Sequence, residues 1–346
     1  MPGNCRIPAP IRKLAEMNAA VPSHIFQIKR LSDFDKLSLS LNGEKNSVLF
    51  GFSATLFYED GATVEGRLRG NRILADYLQI FKHEINYFHP ANARRHRKID
   101  RIDPLGYYDE YARQADSTDI YGVGLYGFPT KRSLQDATPY YIGNVGVDNA
   151  SKWSYVTAYF PASWVEKEGY AVFVNTIRRW CDILKPSHGT AGLSILFDEG
   201  GAIQHQSRLA FPIYSRFPGL EVPDVGSWVL EFNAQDDRWI RTINWLTILD
   251  DAFVEQLGGL PQVRSQLDQL CVLHDWQGGV VIQTGSEPKL GDINRGDIPE
   301  EYHKVARATK EIRFDAFAAD STITAINLPD PLDPYTETLK WFRRFD

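Results

Sequence analysis

The sequence predicts an α+β fold made of two ferredoxin-like halves, each with the element order β-α-β-β-α-β, packed as one compact unit. Strand-like and helix-like segments follow one another in that order between residues 47 and 197. The same order returns between residues 240 and 317, after a segment, 212–226, that is rich in Pro and Gly. The composition, 43% hydrophobic and 24% charged over 346 residues, indicates a globular chain with a sizeable core.

The first half begins with an aromatic and β-branched run from Ser47 to Tyr58, which a turn sequence, Glu59-Asp60-Gly61, follows. Such a run is typical of a strand. A helix is predicted next, because apolar side chains recur at helical spacing at Ile73, Leu74, Tyr77, Leu78, Phe81 and Ile85. The remaining elements are predicted as strand, strand, helix and strand at residues 119–128, 152–161, 170–184 and 189–197.

The second half repeats this order. Its predicted elements are a strand at 240–249, a helix at 251–268, strands at 270–275 and 278–284, a helix at 299–311 and a strand at 313–317. Pro299 suits the first turn of a helix, and the acidic Glu300 and Glu301 favour its positive end. The chain is therefore divided into an N-terminal extension (1–45), a first half (46–211), a linker (212–226) and a second half (227–346).

The most distinctive motifs lie in the second half. They are Trp245-Leu-Thr-Ile-Leu249, Gly258-Gly259, the run from Gly278 to Arg295 and the C-terminal Trp341-Phe-Arg-Arg-Phe-Asp346. As a set and in this order they resemble the TsiV-like immunity family of type VI secretion. The first half resembles that family only in its pattern of elements.

This resemblance implies an immunity protein that binds a cognate type VI effector toxin and covers its active or DNA-binding site. The effector is expected to be a DNA-cleaving nuclease of the VRR-Nuc class. The protein itself is expected to have no catalytic activity, to bind neither nucleic acid nor membrane, and to be a monomer or weak homodimer when free.

Two other functions remain open on the sequence. One is a structural or assembly protein of a phage or secretion system, which an obligate homo-oligomer would mark. The other is an enzyme acting on a small molecule through the 285–297 loop, which would need a deep polar pocket converging on Asp292, Asn294 and Arg295.

No pattern in the sequence points to catalysis or to a cofactor. The eight histidines occur singly, without the His-Glu-x-x-His spacing of a zinc hydrolase, and Cys5, Cys181 and Cys271 are too few and too scattered for a disulfide framework. We therefore expect no catalytic residue, metal or cofactor. A cytoplasmic protein is expected as well, because no signal-like or membrane-spanning apolar run is present.

The charge is unevenly distributed along the chain. Residues 217–346 hold 12 Lys and Arg against 22 Asp and Glu, a net charge of −10, whereas residues 1–216 carry +4. An acidic surface repels nucleic acid and accelerates encounter with a basic partner, although it can also serve solubility alone. The expected partner-binding residues are acidic side chains at loops and element ends: Asp236, Asp237, Asp250, Asp251, Asp297, Glu300 and Glu301.

The motif residues themselves are expected to be scaffold. Trp245 and Leu246 lie in a nearly continuous apolar strand, and Trp341 and Phe345 are four residues apart near a chain end that must be held down. All four are therefore predicted to be core residues that do not contact the partner.

Overall fold

A computed structural model gives the architecture of the chain. The residues that it describes are 28–41, 45–90, 95–100, 102–130, 136–147, 153–199, 203–223, 225, 229, 238–267, 269–314, 328 and 330–346. Within these ranges, no helix combines the length and the apolar composition that crossing a bilayer requires.

The described residues form an α+β structure. Its strands are β1 (Ser38–Leu41), β2 (Lys45–Tyr58), β3 (Tyr87–His89), β4 (Arg97–Lys98), β5 (Tyr121–Tyr126), β6 (Tyr141–Gly146), β7 (Ser154–Phe160), β8 (His188–Phe197), β9 (Leu246–Asp250), β10 (Cys271–Trp276) and β11 (Gly279–Thr284). Its α-helices are α1 (Val64–Ile80), α2 (Pro104–Gln114), α3 (Ala162–Glu168), α4 (Tyr170–Leu184), α5 (Ile203–Tyr214), α6 (Asp251–Gln256), α7 (Leu260–Gln266), α8 (Glu300–Ala308) and α9 (Pro334–Phe342).

All eleven strands belong to one antiparallel sheet with the order β10-β11-β9-β8-β2-β7-β6-β5-β3-β4, and β1 pairs with β2. The long strand β2 lies at its centre and pairs with β7 on one side and β8 on the other. Strand β8 then pairs directly with β9, where Thr190 lies opposite Thr247. The predicted α+β class is therefore confirmed, but the two predicted halves share one sheet.

Several element boundaries differ from the prediction. The predicted strand 240–249 is a regular strand only from Leu246. The predicted helix 251–268 is divided into α6 and α7. Gly258 and Gly259, with φ of 91° and 87°, cause that division, because a helix cannot continue through such backbone. The predicted strand at 313–317 is reduced to a bridge between Ile240 and Arg313 in the described residues.

Elements without a clear sequence pattern were missed. The elements that were not predicted are strands β1, β3, β4 and β6 and helices α2, α3, α5 and α9, most of which are short or lie among glycines and prolines. Helix α5 continues to Tyr214 through Pro212, so it extends into the segment that the sequence assigned to the linker.

Helices α1 and α4 pack on one face of the sheet through aromatic side chains. Phe52 of β2 meets Phe173 of α4 edge to face with ring centres 5.2 Å apart, and Tyr77 of α1 meets Phe160 at 5.6 Å. Helix α1 lies close to β6 because Gly70 has no side chain, since a Cβ there would come within 2.3 Å of the Asn144 amide. Such close packing supports a single continuous core.

The four motif residues expected in the core are buried: Trp245, Leu246, Trp341 and Phe345 are each at most 4% exposed. Arg344 of the C-terminal motif holds the last helix in place. Arg344 donates to the carbonyl oxygens of Pro218 at 2.8 Å and Ile243 at 3.2 Å, and its guanidinium lies 4.0 Å from the centre of the Trp341 ring. The C-terminal motif therefore acts as scaffold in the fold.

Candidate functional site

The predicted partner-binding residues fall at opposite ends of the C-terminal strands. Asp250 and Asp251 lie where β9 ends and α6 begins, and Asp250 lies opposite Gly279, the first residue of β11. Asp297 and the start of α8 come after the far end of β11, a strand of six residues that is about 20 Å long at ~3.3 Å per residue. Asp236 and Asp237 lie outside the described residues.

Around Asp250 and Asp251 the sheet brings together acidic residues from distant parts of the sequence. The Asp250 amide donates to the Ser187 carbonyl oxygen and the Asp251 amide to that of Gly278, both at 2.9 Å. The Gln277 amide donates to the Asp182 carboxylate at 2.8 Å. We call this region the acidic end, defined by Glu59, Asp60, Asp182, Asp250, Asp251 and Asp275.

Part of the acidic end is used to stabilise the fold. The Asp250 carboxylate caps α6 by accepting from the Phe253 amide at 2.9 Å, and it pairs with Arg238 at 2.6 Å. Arg238 also lies 2.9 Å from the Glu59 carboxylate, and its guanidinium is 4.7 Å from the centre of the Phe253 ring. The Arg69 guanidinium forms an ion pair with the Asp60 carboxylate at 2.5 Å. Asp250 is thus mainly a structural residue.

The other acidic side chains face solvent. Asp182, Asp251 and Asp275 are exposed, and none of them has an ion-pair partner in the described part of the chain. The neighbouring Arg178 donates to the backbone carbonyl oxygen of Asp275 at 2.8 Å, so it contacts the main chain there. These three carboxylates therefore carry most of the unbalanced negative charge at this end.

The second group of predicted residues is less available. Burial acts to raise the pKa of Glu301, but its 2.5 Å contact with Lys289, a backbone hydrogen bond and the charge of Lys304 together lower that pKa. Glu300 is exposed and lies 3.8 Å from Arg307. Asp297 is exposed as well, and its backbone exchanges two hydrogen bonds with Asp292. Only Asp297 and Glu300 of this group present their carboxylates to solvent.

The 285–297 loop is held by its own polar contacts. The Asp292 carboxylate accepts two hydrogen bonds of 2.8 Å from Arg216, which lower the pKa of Asp292. It also accepts from the Asn294 amide at 3.1 Å, while the Asn294 and Arg295 side chains are exposed. Asp292 and Arg295 line an open cleft of about 480 Å³, but Asn294 is not among its lining residues and Arg216 takes both oxygens of Asp292. The three side chains therefore do not converge on one deep polar pocket, which the small-molecule hypothesis required. Within the described ranges, no group of three His, Cys, Asp or Glu is arranged to hold a metal ion.

Four members of the acidic end were not identified from the sequence. Glu59 and Asp60 follow β2, Asp182 lies in the last turn of α4, and Asp275 is near the end of β10. Each is at the end of an element, which is the only local signal. Their proximity follows from the antiparallel pairing of β2, β8, β9, β11 and β10, which single-residue patterns do not reveal.

Comparisons with known proteins agree with the motifs. A model of the family described as TsiV, type VI immunity for VRR-NUC, matches residues 72–345. The Pseudomonas aeruginosa T6SS protein PA0821 has a similar structure, with a TM-score of 0.74 and 19% identity over 90% of this chain and 87% of that one. No curated protein matches the sequence. Since the family model spans most of the chain, this protein belongs to the TsiV family and is a type VI immunity protein against a VRR-NUC nuclease effector, not an enzyme.

Proposed function

We propose that the protein neutralises its effector by placing the acidic end in the cleft that the nuclease uses to hold DNA. The observation that carries this proposal is the position of Asp182, Asp251 and Asp275, which are exposed together at one end of the sheet. They lie in a molecule whose last 130 residues carry a net charge of −10.

The physical argument is electrostatic. A nuclease must neutralise DNA phosphates with Lys and Arg, so its cleft attracts any rigid acidic surface of suitable shape. Opposite charges on the two proteins accelerate their encounter, and correctly placed carboxylates can then replace phosphates in the cleft. The acidic end is rigid, because backbone hydrogen bonds hold its segments together, and this lowers the entropy lost on binding.

We also propose that Asp236 and Asp237 extend the acidic end. They precede Arg238, which lies within 3 Å of both Glu59 and Asp250. With Asp251 they would then form one continuous acidic surface. Asp297 and Glu300 would act separately, because they follow the other end of β11.

The test is charge reversal of exposed residues with a matched control. The variant Asp251→Lys/Asp275→Lys changes the acidic end by four charges and spares Asp250, which caps α6. The control Glu84→Lys/Glu110→Lys changes the charge equally at two exposed residues that belong neither to the acidic end nor to the 285–297 loop. We expect the first variant to associate with purified effector at least about tenfold more slowly and the control to stay within about twofold. Equal effects of both variants would overturn the proposal.

The protein is proposed to act in the bacterial cytoplasm. A nuclease effector is harmful only where it reaches DNA, and an inhibitor that covers its DNA-binding cleft must be in the same compartment. Fractionation of cells that express the protein at its natural level tests this location directly.

We further infer that both halves follow the split βαβ arrangement. In the first half, the order β8-β2-β7-β6 supports this inference, with α1 after β2 and α4 joining β7 to β8. The elements from β3 to β5 would then be an insertion between α1 and β6. In the second half the order is β9-β11-β10, and β8 occupies the place beside β9 where a fourth strand would lie.

A further inference from the structure

A cleft of about 480 Å³ lies between the N-terminal segment and the loop that carries the family motif. Ile28, Leu31, Tyr170 and Leu290, which are half-buried, give it apolar surface. Residues 288–292 form one wall, and residues 28–31 form the opposite wall. The motif loop follows the end of β11 away from the acidic end, so the cleft and the acidic end are separate surfaces.

Both walls of the cleft are fixed. The Leu290 carbonyl oxygen accepts from the Gly219 amide at 2.8 Å, and the Arg216 guanidinium donates two hydrogen bonds to the Asp292 carboxylate. Across the cleft, the Asp33 carboxylate accepts from the backbone amides of Lys29 and Arg30 at 3.0 Å. A cleft that is already formed loses little conformational entropy when a ligand enters.

The charge at the rim is positive. Lys29 and Arg30 are exposed, and neither has an ion-pair partner in the described part of the chain. Arg295 is 70% exposed, and its 3.4 Å contact is with Asp292, which Arg216 already neutralises. Asp297 is the exposed acid at the rim. A rim with more cations than anions around apolar walls suits an acidic side chain flanked by apolar ones.

We propose that this cleft is a second docking site for the effector and receives a short extended segment in which an acidic side chain lies between apolar residues. The apolar side chains would pack on Leu31 and Leu290, and the carboxylate would pair with Lys29 or Arg30. The inference rests on binding to the effector and does not depend on the acidic end. The acidic end and the cleft would together hold the effector at two separate points.

Two consecutive basic residues elsewhere give a matched control. The variant Lys29→Glu/Arg30→Glu reverses the rim, and Arg97→Glu/Lys98→Glu reverses an exposed pair on β4 at the other edge of the sheet. We expect the rim variant to dissociate from immobilised effector at least about tenfold faster, whereas the control changes by less than about twofold. Equal dissociation rates for the rim variant and the unmodified protein would overturn the proposal.

A second measurement does not depend on any variant. In the complex with effector, the backbone amides of residues 28–31 and 289–292 should exchange hydrogen more slowly than in the free protein. Unchanged exchange in both segments would overturn the proposal even if the rim variant binds poorly. If the free protein is a dimer and the rim variant is a monomer, the cleft holds a second copy of the chain, and this result also overturns the proposal. Slower association of the Asp251 and Asp275 variant tests the acidic end independently, so the two proposals can fail separately.

Discussion

Arg241 and Glu221 form an ion pair of 2.6 Å in which neither side chain is more than 3% exposed. Arg344, also buried, approaches the second oxygen of the same carboxylate at 3.9 Å. Burial lowers the pKa of Arg344, and the Glu221 carboxylate opposes that shift. Two buried guanidinium groups therefore share one buried carboxylate, which links the 217–222 segment to the C-terminal motif.

Removing that carboxylate should strongly destabilise the fold. We expect Glu221→Gln to lower the free energy of unfolding by about 3–5 kcal/mol, because it leaves two buried cations without an anion. Urea unfolding measures the change. The control is Asp100→Asn, which removes the partner of Lys98 from a pair in which both side chains are more than half exposed, and should cost at most about 1 kcal/mol. Similar unfolding midpoints for the two variants would show that Glu221 does not have this role.

The tryptophans of the motifs should contribute to stability and not to effector specificity. Trp245 and Trp341 are buried, and Trp341 lies beneath the guanidinium groups of Arg344 and Arg241. We expect Trp245→Ala or Trp341→Ala to cost about 3–5 kcal/mol and to reduce the yield of soluble protein. A soluble variant with an unchanged melting temperature that no longer protects cells would contradict this assignment.

Local sequence patterns predicted the long elements well and the connections poorly. Ser47–Tyr58 is a run of aromatic and β-branched residues, and Tyr170–Leu184 has apolar residues at helical spacing. For this reason β2 and α4 were identified with nearly correct ends. Strand β6, Tyr141–Gly146, contains two glycines, and its pairing with β7 and β5 decides its structure. Non-local pairing also joins β8 to β9, which no pattern within either half predicts.

The candidate site was predictable to a similar extent. The sequence identified Asp250 and Asp251 at the end of a strand. It could not show that the Asp250 carboxylate caps α6 and pairs with Arg238. It also placed Glu301 among the binding residues, although Lys289 holds that side chain at 2.5 Å. Whether a carboxylate is free depends on its neighbours in space, and those neighbours come from other strands and helices.

His188 should make the stability of the protein depend on pH. Its ring is buried against Phe57, at 4.5 Å between ring centres, and Trp153, at 4.8 Å. Burial lowers the pKa of His188 well below its usual value, and Arg238 and Arg241 add to that effect. Below about pH 6.5 the unfolded chain binds a proton that the folded chain does not. The free energy of unfolding therefore decreases as the pH is lowered, by up to about 1.4 kcal/mol per pH unit.

The variant His188→Phe isolates this contribution. It keeps an aromatic ring among Phe57 and Trp153 and removes the titrating group, so its unfolding free energy should fall less than that of the unmodified protein between pH 7 and pH 5. Burial also lowers the pKa values of His89 and His96, so part of the slope should remain. The exposed His83→Gln is the control and should keep the full slope. Identical slopes for His188→Phe and the unmodified protein would contradict the prediction.

The final prediction concerns salt. The Debye length falls from about 30 Å at 0.01 M ionic strength to about 8 Å at 0.15 M, so attraction between exposed charges weakens over that range. Because Asp182, Asp251 and Asp275 are exposed, we expect the association rate with effector to fall at least about tenfold across it. Stopped-flow measurements at several salt concentrations give the slope directly. The Asp251→Lys/Asp275→Lys variant should have a clearly smaller slope, because it removes two of the three carboxylates that produce the attraction. An association rate that does not change with salt would place the effector interface away from the acidic end and leave the negative charge with a role in solubility alone.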